Sequence, residues 1–271
     1  MEILPQLSFD QYTLVLNALN LTTAFMGGAA LLFVLLRSQV GKAYRFALGV
    51  MAAAVLMAAY HYTQLLGNWR AAYAVDGGAY QPTGAPYQEA FRYADWLGTV
   101  PLILAALMLV LDLGRRKSNS LISRLAVAAV LMIGLGYVGE VARDTSGRAL
   151  WGLLSCLPFF YILFVLWHEM RGVLGFETPR VRDLFSKLRL LLVASWTLHP
   201  VVYAFPLLGL TGASALVASQ VGHSIADISA KVFYGLMIYA IAREKTLSEE
   251  LLTAPAGDEV PAPSLAPAAA D

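Results

Sequence analysis

Residues 223–241 read HSIADISAKVFYGLMIYAI, an apolar run that carries a lysine, Lys231, close to its centre. A charged side chain at bilayer depth costs several kcal/mol unless it is paired, neutralised or used covalently. The lysine therefore indicates a functional site in this helix. Asp227 lies four residues earlier, on the same face of a helix, so the alternative is a buried ion pair that only holds helices together.

The whole chain has the composition of a membrane protein. Of its 271 residues, 58% are hydrophobic and 14% are charged, so it is more apolar and less charged than an average soluble domain. Seven apolar runs, each near the ~20 residues that span a bilayer as a helix, are separated by short polar clusters. They are predicted at 9–36, 43–69, 88–113, 121–142, 149–171, 184–206 and 215–243.

The predicted fold is an all-α bundle of seven transmembrane helices over residues 9–245. A short outer segment, 1–8, precedes the bundle, and an Ala/Pro-rich stretch, 246–271, is predicted to be a disordered cytoplasmic tail. Gly and Pro between residues 70 and 88 predict an outer hairpin.

Basic residues set the predicted orientation. They concentrate in residues 37–45, 114–124 and 171–189 and near the end of the last helix, and poorer loops alternate with these. By the positive-inside rule the basic loops and the C-terminus face the cytoplasm, and the N-terminus lies outside, as seven helices require. We expect a multi-pass protein of the cell membrane, with the lipid bilayer as its surroundings.

Several other classes are disfavoured by simple counts. A net charge of +1 without a basic block argues against a nucleic-acid partner. The single cysteine, Cys156, excludes an intramolecular disulfide and a CxxC metal pattern. Nothing in the sequence suggests an enzyme or a metal site.

The third apolar run, FRYADWLGTVPLILAAL, places Arg92, Asp95 and Thr99 within two helical turns. Arg-Tyr-x-Asp-Trp-x-x-Thr-x-Pro here, with Asp-x-x-x-Lys in the seventh run, resembles the microbial (type 1) rhodopsins, which are seven-helix retinal proteins. LMIGLGYVGE, YILFVLW and SWTLHPVVY support the resemblance in the fourth, fifth and sixth runs. It covers about residues 9–243 and includes features of xanthorhodopsin-like and proteorhodopsin-like pumps.

The resemblance implies that Lys231 forms a Schiff base with all-trans retinal. Asp95 is then the counter-ion and primary proton acceptor, and Asp227 is the second counter-ion. Arg92, one turn before Asp95, balances the negative charge on the outer side; its alternative is an arginine that extends to the outer interface.

In this family three positions of the third helix track the transported ion, and here they are Asp95, Thr99 and Ala106. An aspartate at the first position favours outward proton pumping. Ala106 stands where many proton pumps place a carboxylic cytoplasmic donor, and alanine cannot donate a proton. Return of the proton through water, or a slow-cycling photosensor that signals through a transducer, both remain open.

Two further alternatives are weaker. A light-gated cation channel is disfavoured because few additional acids fall between the helices. A transporter without retinal would use Lys231 and Asp227 as a structural pair, and its cells would stay colourless.

The resemblance implies four partners of the counter-ions, which are His61, Thr99, Arg92 and Tyr62. His61 in AAYHYTQ resembles the histidine that hydrogen-bonds the counter-ion in related pumps, although a core histidine with local partners is the common alternative. Tyr62 is then expected to reach Asp227. His199 replaces the tyrosine or other aromatic residue of many relatives, which leaves the hydrogen bonding of Asp227 open.

The implied retinal pocket has ten members, although each also fits ordinary helix packing. They are Trp96, Ile103, Met132, Gly136, Ser155, Phe159, Trp196, His199, Pro200 and Tyr203. The hydrocarbon Ile103 replaces the glutamine of blue-absorbing relatives, so we expect green absorption.

Three weaker expectations complete the site. Gly152 occupies the position where a glycine opens a window for a carotenoid antenna in xanthorhodopsin-like pumps, and its alternative is helix packing. Glu140 and Glu89 are candidates for proton release at the outer helix ends. Family members often assemble as trimers or pentamers, which implies a homo-oligomer.

Overall fold

The computed structural model describes residues 4–175 and 177–253, and seven long helices form one bundle in this part of the chain. Helices α1 to α6 are Phe9–Leu36, Arg45–Ala72, Ala90–Leu111, Arg115–Glu140, Thr145–Leu174 and Pro179–Tyr203. Helix α7 consists of Gly212–Asp227, a π-helical stretch Ile228–Phe233, and Tyr234–Thr253. The seven-helix prediction is confirmed.

Six of these helices are long and apolar enough to cross a membrane. Helix α6 is the exception because basic side chains, among them Arg182, Lys187 and Arg189, occupy its first half. Large apolar side chains such as Leu35, Phe46 and Leu153 are exposed on the outside of the bundle. An apolar outer surface of this kind fits a lipid environment.

The helix ends differ from the predicted spans mainly on one side of the bundle. Helix α4 begins at Arg115 rather than at 121, because hydropathy detects the lipid-facing part of a helix and not its polar first turns. The last helix continues to Thr253, so residues 246–253 of the predicted tail are helical. Thr246 accepts a hydrogen bond from Gly41 N at 2.8 Å, which ties this extension to the α1–α2 loop. The predicted tail residues 254–271 lie outside the described residues.

A two-stranded hairpin joins α2 to α3, as predicted. Strands β1 (Tyr73–Asp76) and β2 (Ala79–Pro82) pair antiparallel, with Asp76 opposite Ala79. Gly77 and Gly78 between them have φ values of 57° and 83°, which a two-residue hairpin turn with both central residues at positive φ requires. The N-terminal segment joins this sheet, since Leu7 and Tyr80 exchange two backbone hydrogen bonds.

The basic loops meet at the opposite end of the bundle. Arg243 Nη1 in α7 donates to Gln39 O in the α1–α2 loop at 2.9 Å. Lys245 Nζ pairs with Glu177 Oε1 in the α5–α6 loop at 2.9 Å. The hairpin and the basic loops therefore define two distinct ends, as the predicted alternation of loops requires.

Candidate functional site

Lys231 lies in the middle of the bundle between two carboxylates. Its Nζ donates to Asp95 Oδ2 of α3 at 2.8 Å and to Asp227 Oδ1 of α7 at 2.6 Å. All three residues are at most 1% exposed. The π-helical stretch Ile228–Phe233 contains Lys231, and such an extra-wide turn in a helix is frequently found at functional sites.

The two carboxylates have unequal hydrogen-bonding partners. Besides Lys231, Asp227 accepts from Tyr62 Oη at 2.6 Å and from Trp96 Nε1 at 3.0 Å. Asp95 Oδ1 is buried and has no hydrogen-bond partner among the described residues. Since each donor stabilises the ionised form, the Asp95 carboxylate has less hydrogen-bond stabilisation than that of Asp227.

Arg92 is buried and holds the hairpin-facing side of the site together. Its Nη1 donates to Tyr62 Oη at 2.9 Å, its Nη2 to Gln220 Oε1 at 2.8 Å, and its Nε to Glu89 Oε2 at 2.9 Å. Gln220 Nε2 also donates to Glu89, which closes a ring of three side chains. Arg92 is 1% exposed, so it does not extend to the interface.

Two expected contacts of Asp95 are not hydrogen bonds. His61 Nδ1 lies 3.9 Å from Asp95 Oδ1, beyond hydrogen-bond distance, and 3.0 Å from Met57 O, which is its acceptor. Thr99 Oγ1 donates to the backbone carbonyl of Asp95 at 2.9 Å and not to its carboxylate. Both side chains are satisfied by carbonyls four residues earlier in their own helices. The contact of Tyr62 with Asp227 is present as expected.

A cavity of about 1030 Å³ begins at Lys231 and Asp227 and runs between α3, α4, α5 and α6 toward the hairpin end. All ten residues of the expected pocket line it. Ser155 is fixed there because its Oγ donates to Met132 O at 2.7 Å. A buried amine at the end of a largely apolar cavity, beside a carboxylate with a free oxygen, fits an extended apolar group attached to Lys231 Nζ.

Comparison with known proteins identifies the family. A family model for bacteriorhodopsin-like proteins matches residues 14–245. The chain is a microbial rhodopsin. The family implies retinal as the chromophore of this rhodopsin and a multi-pass location in the cell membrane.

Individual relatives agree with this identification. The rhodopsin is 28% identical to the green-light absorbing proteorhodopsin of a gamma-proteobacterium over 223 residues, which are 82% of this chain and 84% of that protein. Among solved structures, a thermophilic rhodopsin has a TM-score of 0.87 at 46% identity, covering 91% of this chain and 99% of the other. Xanthorhodopsin, described as a light-driven ion pump with dual chromophore, has a TM-score of 0.87 at 42% identity, covering 91% and 98%.

Two histidines extend the site beyond Asp227. His199 Nε2 of α6 lies 3.9 Å from Asp227 Oδ1, and His199 Nδ1 lies 3.3 Å from His223 Nδ1 of α7. Neither His223 nor Gln220 was predicted as a site residue. They stand four and seven residues before Asp227, so the spacing of one helical face could have identified them.

The expected release groups lie at the hairpin end of this rhodopsin in separate clusters. Glu89 belongs to the Arg92 cluster. Glu140 pairs with Arg148 Nη2 at 2.8 Å and accepts from Tyr93 Oη at 3.3 Å.

Gly152 packs against Tyr203. A Cβ at position 152 would lie 2.6 Å from Tyr203 Cε1, so the tyrosine ring takes up the space that the glycine leaves. Tyr203 Oη donates to Arg148 O at 2.7 Å, which fixes the ring between α4 and α5. Packing therefore accounts for this glycine, and the antenna window stays a prediction.

Proposed function

We propose that this rhodopsin is a light-driven pump that moves protons from the cytoplasm to the outside. Lys231 holds retinal through Nζ and keeps one proton there, Asp95 accepts that proton, and Asp227 stays ionised as the second counter-ion. Retinal, when bound, supplies light absorption and the isomerisation that breaks the contact between Lys231 Nζ and its partners.

This proposal rests on the different numbers of hydrogen-bond donors that the two carboxylates have. Asp227 is held as an anion by Tyr62, Trp96 and Arg92 as well as by Lys231, whereas the Asp95 carboxylate has one hydrogen-bond partner among the described residues, Lys231 itself. When the charge on Lys231 is displaced by light, the proton moves to the carboxylate that loses most by staying ionised. That carboxylate is Asp95.

The proposed outward direction rests on the two ends of the bundle. The basic loops mark the cytoplasmic end by the positive-inside rule, which makes the hairpin end the outer one. Arg92, Glu89 and Gln220 continue from the carboxylates toward this outer end. Glu89 and Glu140 are our candidates for release of the proton to the outside.

We infer that the proton returns to Lys231 without a carboxylic donor. Ala106 stands at the donor position and is fully buried in the apolar core. Return must then draw on protons of the cytoplasmic solution, which makes the last part of the cycle slower as the pH rises. A slow return changes the rate of pumping but not its direction.

Substitution of Lys231 and Asp95 tests the assignment of roles. Lys231→Ala is expected to give a colourless protein after addition of retinal, because no amine remains to hold the chromophore. Asp95→Asn is expected to stay coloured, to absorb further to the red, and to lose light-driven transport. A coloured Lys231→Ala protein would end the assignment of the attachment site, and full transport by Asp95→Asn would end that of the acceptor.

A carotenoid antenna beside Gly152 and assembly into trimers or pentamers remain proposals taken from the resemblance. The cavity extends to Leu153 and Leu210, which are exposed apolar residues, so a second apolar molecule could contact its edge. An action spectrum of transport, recorded with and without added carotenoid, tests the antenna: light absorbed by the carotenoid must drive transport. Cross-linking in the native membrane tests the oligomer.

A further inference from the structure

His199 and His223 form a pair of facing imidazoles beside the second counter-ion. Their rings are nearly parallel, with an interplanar angle of 19° and centroids 5.5 Å apart, and the two Nδ1 atoms face each other at 3.3 Å. The Trp96 ring packs on both imidazoles, at 4.6 Å from His199 and 5.5 Å from His223. Both histidines line the cavity.

This geometry permits one hydrogen between the two Nδ1 atoms. Two N–H groups would repel each other, and two lone pairs would gain no bond, so one imidazole donates and the other accepts. The carboxylate of Asp227 accepts only, and among the four nitrogens of the pair it is His199 Nε2 that lies 3.9 Å from it, too far for a hydrogen bond but close enough to favour an N–H there over a lone pair. The consistent arrangement has His199 Nε2–H directed to Asp227 and His223 Nδ1–H donating to His199 Nδ1. His223 Nε2 then keeps its lone pair.

We propose that His199 and His223 are a second proton-binding site of this rhodopsin. The pair shares one proton between its Nδ1 atoms in the dark, and His223 Nε2 accepts another proton while Lys231 is neutral. This second step rests on the proposed function, since Lys231 becomes neutral only if Asp95 takes its proton.

The reason for the second step is the charge of Asp227. In the dark, Lys231 lies 2.6 Å from this carboxylate, and Arg92 Nη1 lies 4.0 Å from it. Once Lys231 is neutral, Asp227 has lost its nearest cation and the histidine pair is no longer repelled by the charge on Lys231, so both changes favour a proton on the pair. The charged or titratable groups that face the pair are Arg92 from α3, Tyr62 from α2, and Asp227 and Lys231 from α7.

The proton comes from water and returns to it. The cavity continues past His223 along α7, where Ser219 and Gln220 also line it, to the hairpin end. A hydronium ion from that side gives its proton to the His223 Nε2 lone pair, and the proton leaves when Lys231 regains its own. An O–H bond of the hydronium ion breaks as the N–H bond forms, which leaves water, and the reverse exchange with water occurs when the proton leaves.

The shared proton can be measured in the dark. The chain has four histidines, so the purified pigment with ¹⁵N-labelled histidine gives few imidazole signals in solid-state NMR. We expect a scalar coupling between two Nδ1 atoms across the hydrogen bond. It should disappear in His199→Gln and in His223→Gln and persist in His168→Gln, whose imidazole is exposed on α5. Retained colour reports that each variant is folded, and a wild-type pigment with no such coupling would overturn the shared proton.

The second proton is tested in the light. Infrared difference spectra of ¹⁵N-histidine pigment, recorded while Lys231 is neutral, should show one new imidazolium per pigment, absent from His223→Gln. If the NMR coupling is present but no imidazolium forms in the light, protonation of His223 Nε2 is refuted and the shared proton in the dark is not. The NMR measurement does not depend on transport. Cells that fail to pump would therefore refute the proposed function but not the proton shared by His199 and His223 in the dark.

Discussion

Replacement of Tyr62 by phenylalanine removes one oxygen from the centre of the site. That oxygen donates to Asp227 Oδ2 at 2.6 Å and accepts from Arg92 Nη1 at 2.9 Å, and the tyrosine is fully buried. The substitution therefore deletes two hydrogen bonds to charged groups at once and leaves the ring in place.

The expected cost follows from those two bonds. A hydrogen bond to a charged group contributes about 1.5–3 kcal/mol, so losing two sets an upper limit of about 6 kcal/mol. Arg92 keeps Gln220 and Asp227 keeps Trp96 as partners, which offsets part of the loss. We expect Tyr62→Phe to lower the free energy of unfolding by about 2–4 kcal/mol.

Tyr234 provides the matched control. It is also fully buried, but its Oη donates to a neutral acceptor, Ile103 O, at the long distance of 3.4 Å. Tyr234→Phe should cost about 0.5–1 kcal/mol. Both variants can be unfolded in mixed detergent micelles and followed by visible absorption. A Tyr62→Phe pigment no less stable than Tyr234→Phe would refute the view that Tyr62 holds Asp227 and Arg92 together.

Three further predictions concern other parts of the site. Ala106→Asp supplies the missing donor and should speed the return of the proton to Lys231 by about 100-fold or more at about pH 8, as measured by flash photolysis. Ala106→Asn is similar in size but has no acidic proton, so it should not speed this step. Gln220→Leu leaves an Arg92 N–H unpaired in the interior and should cost about 2–3 kcal/mol in the same unfolding assay, and wild-type stability would contradict the ring of hydrogen bonds. Gly139→Ala places a Cβ against Tyr203 Oη and should cost about 1–3 kcal/mol, of which Tyr203→Phe in the same chain should recover part; no recovery would mean that the clash is not the cause.

The sequence was sufficient for the charged centre of the site. Asp227 and Lys231 share a helical face, and the motif around Asp95 belongs to a family whose fold brings the third and seventh helices together. Such a resemblance also predicts which residues line a cavity, because the position of a residue along the helices depends on the backbone alone. The ten predicted pocket residues all line the cavity that contains Lys231.

The individual hydrogen bonds were less predictable. Helical spacing places His61 on the face toward Asp95, but a rotation of the side chain decides between Asp95 and Met57 O, and the local carbonyl is the closer partner. The same competition turns the Thr99 hydroxyl toward its own helix. Hydrogen bonds of this kind depend on rotamers, which a sequence pattern does not specify.

The packing of Tyr203 and the local backbone around Lys231 were not predicted. The packing of Tyr203 against Gly139 and Gly152 depends on how three helices approach one another. The π-helical stretch around Lys231 is a property of the backbone that no local residue pattern signals. His223 is different, since its position on the same helical face as Asp227 could be predicted from the sequence. Its contact with His199 on another helix could not.

The most direct test of the central claim is the pH of an unbuffered suspension of retinal-fed bacterial cells that express this rhodopsin, illuminated in sodium and in potassium salts. Our account predicts acidification of the medium in both salts, abolished by a protonophore and absent from Lys231→Ala cells. A flat trace from visibly coloured cells, or acidification that depends on sodium, would contradict it.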